Sequence, residues 1–499
     1  MELTTTGALY AWIAGHDKWS VLFTLSSLWV IGIAWSAIYN VYFHPLRKYP
    51  GPKLSAAFSF PFLYSRLVCH DLHHVRRLHL EYGDVVRIGP DALSFVKPSA
   101  WKDIYDKTVG KAAIIRHRRM YNGWNIEPNM ANANGPAHAK QRKVFAAAFS
   151  GLAVKEYEPM LQKHTQRLIL KLADVAEEEN IEAEMCQLYT RTTAHIMAEL
   201  TGSRPTRKNT RRESIAEGVY HTMIISRRYL IFGWLYTYLV ALPLLLLTYE
   251  MSNFSAEQVK NRREGGTDAN IWRFAQKDAE GNIAMSQHEM NMNVELLLFA
   301  GAETTATLLS AVTFFLLQNK EAMRKLVKEL DAAFANDGDL TLNSLVRVRY
   351  LTACLKESLR LHPPAPSNML RMLPAGGAII CGEALPGGTE VSVAPYTAYR
   401  LPKYWTDPES FVPERWLGDP KYDSDAREIC QPFSVGAQNC LGMVLAWHEA
   451  RLILASVLLK FDFVLGEDSQ EWATGQRASI VWDKKPFMAT VKMRSAEIN

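Results

Sequence analysis

A mostly α-helical chain with a small β region, preceded by one membrane-spanning helix, is what this sequence predicts on three observations. Trp19 to Phe43 holds no charged side chain across 25 positions, long enough to span a bilayer core as a helix. Ser286-Gln-His-Glu289 is a capping-box signature that opens a long apolar run ending near Gln318. At 1.5 Å per residue that helix is roughly 50 Å long. Strand-like runs, by contrast, are few and short. Asp84–Ile88 and Ala92–Val96 alternate, Gly- and Pro-punctuated runs fill 377–393, and apolar runs at Phe461–Leu465 and Phe487–Val491 close the chain.

The chain has 499 residues, 48% hydrophobic and 21% charged, an ordinary balance for a large globular core. Nothing after residue 60 reads as a linker. The expected organisation is therefore a short lumenal N-terminus (1–18), the span (19–43), a Pro-rich hinge (44–59) and one catalytic domain (60–499). The net charge of +5 is spread along the chain without an Arg/Lys block, which argues against a nucleic-acid binder. Six cysteines lie far apart without CxxC spacing. That argues against a disulfide scaffold or a zinc site and fits a reducing compartment.

Around the span, Trp19, Trp35, Tyr39 and Tyr42 sit near the two ends, where amphipathic rings favour the interface. Arg47, Lys48 and Lys53 follow it, whereas Lys18 before it is balanced by Glu2 and Asp17. The positive-inside rule then puts residues after 44 in the cytosol. Tyr49-Pro-Gly-Pro52 is a stiff turn that would lift the domain off the membrane. Tyr229–Leu247 is a second strongly apolar segment. A second span there would split one domain across the membrane, so it reads as a membrane-dipping loop through which an apolar substrate enters. Asn253-Phe-Ser255 is a formal glycosylation sequon, expected to be unused on a cytosolic domain.

Four further stretches carry chemistry. His138-Ala-Lys-Gln-Arg-Lys-Val-Phe-Ala-Ala-Ala-Phe149 reads as a helix, with His138 and Arg142 on one face and Lys140 and Lys143 offering a basic docking surface. Ala300-Gly-Ala-Glu-Thr-Thr305 sits inside the long helix; a glycine there costs about 1 kcal/mol against alanine and needs a reason. Leu355-Lys-Glu-Ser-Leu-Arg-Leu-His-Pro-Pro364 places Glu357 and Arg360 three apart on one face, and Phe411-Val-Pro-Glu-Arg-Trp416 follows downstream. Last comes Phe433-Ser-Val-Gly-Ala-Gln-Asn-Cys-Leu-Gly442, one cysteine in a Gly-bracketed loop at the mouth of an apolar helical run, Leu441–Leu459. Free amides at a helix N-terminus stabilise a thiolate. Gly436 and Gly442 would let a large flat cofactor approach the backbone.

The spacing of Phe433, Gly436, Cys440 and Gly442 resembles the haem-binding loop of the cytochrome P-450 family, the haem-thiolate monooxygenases. The Gly-Thr helix, Glu357-x-x-Arg360 and Pro413-Glu-Arg415 occur in the family's order, so the resemblance covers nearly the whole chain. It implies the family's mostly α fold with a small β region, and haem b with Cys440 as axial iron ligand, whose electron donation favours O–O cleavage. It implies that His138 and Arg142 hold one propionate and that Arg371 is a second propionate-binding residue. Gln438 stands where the family carries a basic residue; its amide donates a hydrogen bond without charge. Glu303 and Thr304 are implied to deliver protons to dioxygen where the helix opens at the glycine. Glu357, Arg360 and Arg415 are implied to form a buried triad behind the haem loop, and residues 363–374 to line the substrate pocket. Electrons are implied to come from NADPH through a membrane-bound flavoprotein reductase, with O2 as co-substrate.

The run Phe43-His-Pro-Leu-Arg-Lys-Tyr-Pro-Gly-Pro52 and the Pro-Glu-Arg-Trp-Leu segment are similar to filamentous-fungal members. That similarity implies a tailoring step in secondary metabolism, hydroxylation or epoxidation of an apolar small molecule, at the endoplasmic reticulum membrane. Two other readings stay open: a haem-thiolate isomerase or dehydratase that needs no reductase, and a non-catalytic membrane haem-binding protein.

Overall fold

Asp17 starts the first helix, α1 (Lys18–Tyr42), by accepting the amides of Trp19 at 2.9 Å and Ser20 at 3.0 Å. Within the computed structural model the described residues are 17–106, 114–116, 129–178, 181–202, 271, 285–334, 340–478 and 480–494; the apolar segment 229–247 and the sequon at Asn253 lie outside them. The window Trp19–Tyr42 has a mean hydropathy of 1.9 and none of it is buried. Leu22, Phe23, Trp29 and Ile31 are exposed around its circumference, so α1 is long and apolar enough to cross a membrane.

The segment expected to be a hinge does not stand apart from the domain. Lys48 Nζ and Tyr49 Oη donate to Glu383 at 2.6 and 2.8 Å, the Pro50 carbonyl accepts the Arg87 amide at 2.7 Å, and Leu46 is buried. Asn40 of α1 donates to the Ala57 carbonyl at 3.1 Å, which ties the helix to the same docked segment.

The strands that position the site are β1 (Val85–Gly89), β2 (Ala92–Phe95), β3 (Ile115–Arg116), β4 (Glu182–Glu184), β5 (Arg371–Met372), β6 (Glu390–Val393), β7 (Phe461–Leu465) and β8 (Met488–Met493). One sheet has the order β1-β2-β6-β5-β3, with β2 and β6 parallel; a second has the order β4-β8-β7 and is antiparallel. The first sheet carries its own core of Val86, Ile88, Leu93, Val391, Val393 and Trp405.

The principal helices after α1 are α2 (Gly135–Ala146), α3 (Glu158–Glu177), α4 (Met185–Leu200), α5 (Gln287–Gln318), α6 (Lys320–Ala333), α7 (Arg349–Leu361) and α8 (Met443–Lys460). α2 begins three residues before the expected start because Pro136 sits in its first turn, where a missing N–H costs nothing. The capping box of α5 is formed in both directions: Ser286 Oγ accepts the Glu289 amide at 3.1 Å and Glu289 accepts the Ser286 amide at 2.8 Å. α5 packs most extensively on α4, and also on α7 and α8. Leu308, Leu309 and Val312 meet a core shared with Leu452, Ile453 and Val457, all fully buried. Each such side chain contributes about 1.5–3 kcal/mol. More than half of its most apolar 18-residue window is buried, so α5 is a core helix although it is apolar enough to span a membrane.

Candidate active site

The cysteine loop is closed by its own backbone. The Cys440 amide donates to the Phe433 carbonyl at 2.8 Å and the Asn439 amide to the Gly436 carbonyl at 3.1 Å. Gly436 has φ +76°, and a Cβ there would lie 2.3 Å from the Tyr105 carbonyl oxygen. Both the left-handed backbone and this approach require glycine. Phe433 packs its ring 5.7 Å from Trp447 of α8, fixing the loop on the helix that follows it. A Cβ at Gly442 would meet nothing within 4 Å, so the protein's own packing does not demand that glycine. Cys440 keeps accessible surface yet lies deep in the protein mass, so that surface faces the domain interior. Burial pushes its thiol up; the Gly442 amide, which donates to the sulfur, and the Arg142 charge pull the other way.

Arg142 of α2 clasps this loop one residue before the cysteine, donating to the Asn439 carbonyl at 2.8 Å and to Asn439 Oδ1. His138 lies one turn earlier and is buried. Its pKa falls to about 4, first because of burial and then because Arg116, Arg142 and Arg371 all face it. Arg116 and Arg371 are direct partners across β3 and β5. Arg371 lies 5.0 Å over the Tyr105 ring, and Arg116 donates to the carbonyls of Met130 and Ala133 at 2.9 and 2.8 Å. The structure thus brings His138, Arg142 and Arg371 together and adds Arg116. The sequence reading passed over Arg116; its one signal was the basic run Arg116-His-Arg-Arg119. Gln438 lies half-buried on the short turn Gly436–Gln438, two residues before Cys440.

On α5 the expected opening is not present: the helix runs unbroken from Gln287 to Gln318. The glycine has another reason. A Cβ on Gly301 would lie 2.4 Å from Met197 Sδ, so its bare backbone seats a side chain of α4, while Thr193 of α4 donates to the Ala302 carbonyl at 2.8 Å. Thr304 Oγ1 donates to the Ala300 carbonyl at 2.6 Å. Its neighbour Glu303 points elsewhere and is not open to solvent as a surface relay would be. Its carboxylate accepts Lys484 Nζ at 2.5 Å, and the two side chains are 12% and 9% exposed. Lys484 also donates to Thr307 Oγ1 at 3.2 Å.

Glu357, Arg360 and Arg415 meet as a cluster and all three are fully buried. Glu357 accepts Arg360 at 2.7 and 3.0 Å, Arg415 Nε at 2.9 Å, the Trp416 indole at 2.9 Å and the Val412 amide at 3.1 Å. Asp425 pairs with Arg415 and is a fourth member with no local signature in the chain. Arg360 also donates to the Tyr399 carbonyl at 2.8 Å, and the Tyr399 hydroxyl accepts the Gln431 amide at 2.9 Å. That links the charge cluster to the start of the cysteine loop.

A cytochrome P-450 family model matches residues 50–491. The chain belongs to the cytochrome P-450 family. It is similar to the cytochrome P-450 monooxygenase FUM2 of Gibberella moniliformis, 35% identical over 474 residues, covering 90% of this chain and 98% of the relative. The monooxygenase AMT3 of Alternaria alternata is 35% identical over 485 residues (93% and 97%). The monooxygenase tpeC of Talaromyces stipitatus is 35% identical over 487 residues (93% of each). This cytochrome P-450 is an oxidoreductase of the monooxygenase type, and the family implies haem and O2. The residues present fit that cofactor. A cysteine sulfur already accepts an amide N–H, the glycine two residues on leaves its Cβ direction clear, and three arginines face the neutral His138 one turn before the loop's clasp, where a group with carboxylates would balance their charge.

Proposed function

We propose that this cytochrome P-450 is membrane-anchored and inserts one atom of O2 into an apolar small molecule by hydroxylation or epoxidation, the other atom leaving as water. The observation that carries the reading is Cys440, deep in the domain, with its sulfur taking the Gly442 amide and facing the Arg142 charge. Cys440 would ligate the haem iron, with Phe433, Gly436 and Gly442 shaping its loop. His138, Arg142 and Arg371, joined by Arg116, hold the haem carboxylates; Gln438 adds a hydrogen bond without charge. When bound, the haem supplies the activation of O2 that an unactivated C–H or C=C bond requires. Thr304, with its hydroxyl on the Ala300 carbonyl, hands protons to the reacting oxygen, and Glu303 replenishes them. Glu357, Arg360 and Arg415 hold the loop from behind.

Electrons come from NADPH through a membrane flavoprotein reductase; Lys143 is exposed for that contact, whereas Lys140 is engaged with Glu289 at 3.3 Å. We place the anchor in the endoplasmic reticulum membrane, and the charges flanking α1 support a catalytic domain on the cytosolic side. Monooxygenase relatives in fungi such as Gibberella moniliformis and Alternaria alternata support a tailoring role in secondary metabolism. The test is turnover of apolar candidates in membranes with reductase, NADPH and labelled O2. One labelled oxygen in the product is expected. A product formed without NADPH, or without label, overturns the reading in favour of a reductase-independent enzyme.

A further inference from the structure

Glu303 is gripped by Lys484 and only 12% exposed, so protons reach it past that pair, and buried polar atoms without partners lie beyond it. Arg76 Nε, Arg400 Nη1, His362 Nε2 and Gln476 Oε1 are buried without a hydrogen-bond partner among the described residues. His362 and Arg400 pack on the rim of one small apolar cluster, Leu72, Ala478 and Trp482, with Tyr396 packed on it, while Arg76 is four residues after Leu72 on one helix and Gln476 two before Ala478. The Arg400 guanidinium lies 4.3 Å over Tyr396, and Tyr396 meets Trp482 at 5.7 Å. Trp482 stacks on His362 at 4.3 Å. On its other side His362 lies 5.3 Å from Trp472, whose carbonyl accepts Gln476 Nε2 at 2.6 Å.

The outer end of this file reaches solvent: Arg76 and Arg400 share the half-exposed carboxylate of Glu409 at 2.5 and 3.3 Å. The inner end is Lys484, two residues after Trp482, which grips Glu303. Burial, Arg400 and Lys484 together hold His362 well below the usual imidazole value, so it is neutral. A neutral imidazole both donates and accepts.

Buried polar atoms without protein partners are rare, and in folded proteins ordered water satisfies them. One such atom would be an isolated defect. Donors on arginine, an acceptor on glutamine and an imidazole nitrogen around one cluster form a string of water sites instead. We propose that internal waters fill this file and carry protons from the surface at Glu409, past Arg400 and His362, to Lys484 and Glu303. The proposal rests on the reading of Glu303 and Thr304 as the proton-delivering pair. The guanidinium of Arg400 stays protonated and orients the waters. His362 takes a proton at Nε2 from one water and releases it from the same nitrogen to the next, so its neutral tautomer is restored. Each proton entering from bulk water at Glu409 is matched by one leaving Glu303 towards the reacting oxygen, so every group returns to its starting state.

The test begins on the wild-type holoenzyme, with radiolytic hydroxyl-radical footprinting, which labels side chains beside bound water. Tyr396 and Trp482 should be labelled although Trp482 is 3% exposed, and labelling of Trp482 should fall several-fold in His362→Phe and in Arg400→Met. Protected rings in the wild type overturn the proposal without any variant. Turnover supplies the second arm. His362→Phe, Arg400→Met and Lys484→Met should each lower product per NADPH several-fold and raise the solvent isotope effect, as Thr304→Ala lowers coupling. Should Thr304→Ala and Glu303→Gln uncouple while Arg400→Met and His362→Phe stay coupled, the water file is wrong and the monooxygenase reading stands. Should Thr304→Ala itself stay coupled, the delivery role of α5 falls and the file falls with it.

Discussion

Buried charge is used in opposite ways in two neighbouring regions of the molecule. Behind the cysteine loop, Arg360 and Arg415 face Glu357 and Asp425, two cations against two anions, and the four are woven into carbonyls, an amide and an indole. On the α5 side, Glu303 and Lys484 form one pair, and the polar atoms leading away from them lack protein partners. A network with every member satisfied rigidifies what it touches, whereas a partly satisfied one leaves places for water. The comparison teaches that satisfaction, more than charge or burial, separates a scaffold from a path for protons.

The sharpest way to break this contrast is Glu357→Ala. It leaves the buried Arg360 without a carboxylate and Arg415 with Asp425 alone, at a cost of about 3–5 kcal/mol, and the purified protein should carry little haem. Full haem content with an unchanged unfolding temperature would remove the scaffold role. Within the loop itself, Gly436→Ala should cost about 1–3 kcal/mol through its backbone conformation and the Tyr105 carbonyl. Gly442→Ala, with nothing for its Cβ to strike, should change stability by no more than about 0.5 kcal/mol. Equal shifts in thermal unfolding would contradict that asymmetry.

Acid should find the buried histidines next. Burial lowers His79 from 6.5 to about 4 and holds His362 well below 6.5. The unfolded chain therefore binds protons that the folded chain refuses, and stability rises with pH between about 4 and 6.5. Urea unfolding at pH 5 and pH 7 should show the loss at the lower pH, and His79→Asn should shallow it; parallel curves for the two proteins would count against it. The smallest effect belongs to Gln438→Arg. One more cation beside His138 and three arginines should slow haem transfer to a haem-free globin a few-fold, with stability unchanged. Unaltered transfer would mean that Arg116 already balances the carboxylates.

What could be read in the chain was local. The capping box at Ser286, the shared face of Glu357 and Arg360, and the glycine loop around Cys440 depend on neighbours within a few residues, so spacing exposed them. What the chain hid was long-range. Lys484 reaches Glu303 across 181 residues of sequence, and Tyr49 reaches Glu383 across 334. The first pairs the carboxylate expected to relay protons with a lysine; the second docks the hinge segment on the domain. Arg116 could be noticed as basic, but its place beside Arg371 comes from strand pairing. Gly301 was visible as an anomaly, yet the Met197 thioether that explains it sits on another helix.

The most direct measurement is the carbon monoxide difference spectrum of the reduced, full-length protein in membranes. Thiolate ligation by Cys440, held by the Gly442 amide and Arg142, predicts a strongly red-shifted Soret band that disappears in Cys440→Ala. A band at the ordinary histidine-type position, with haem content intact, would contradict it.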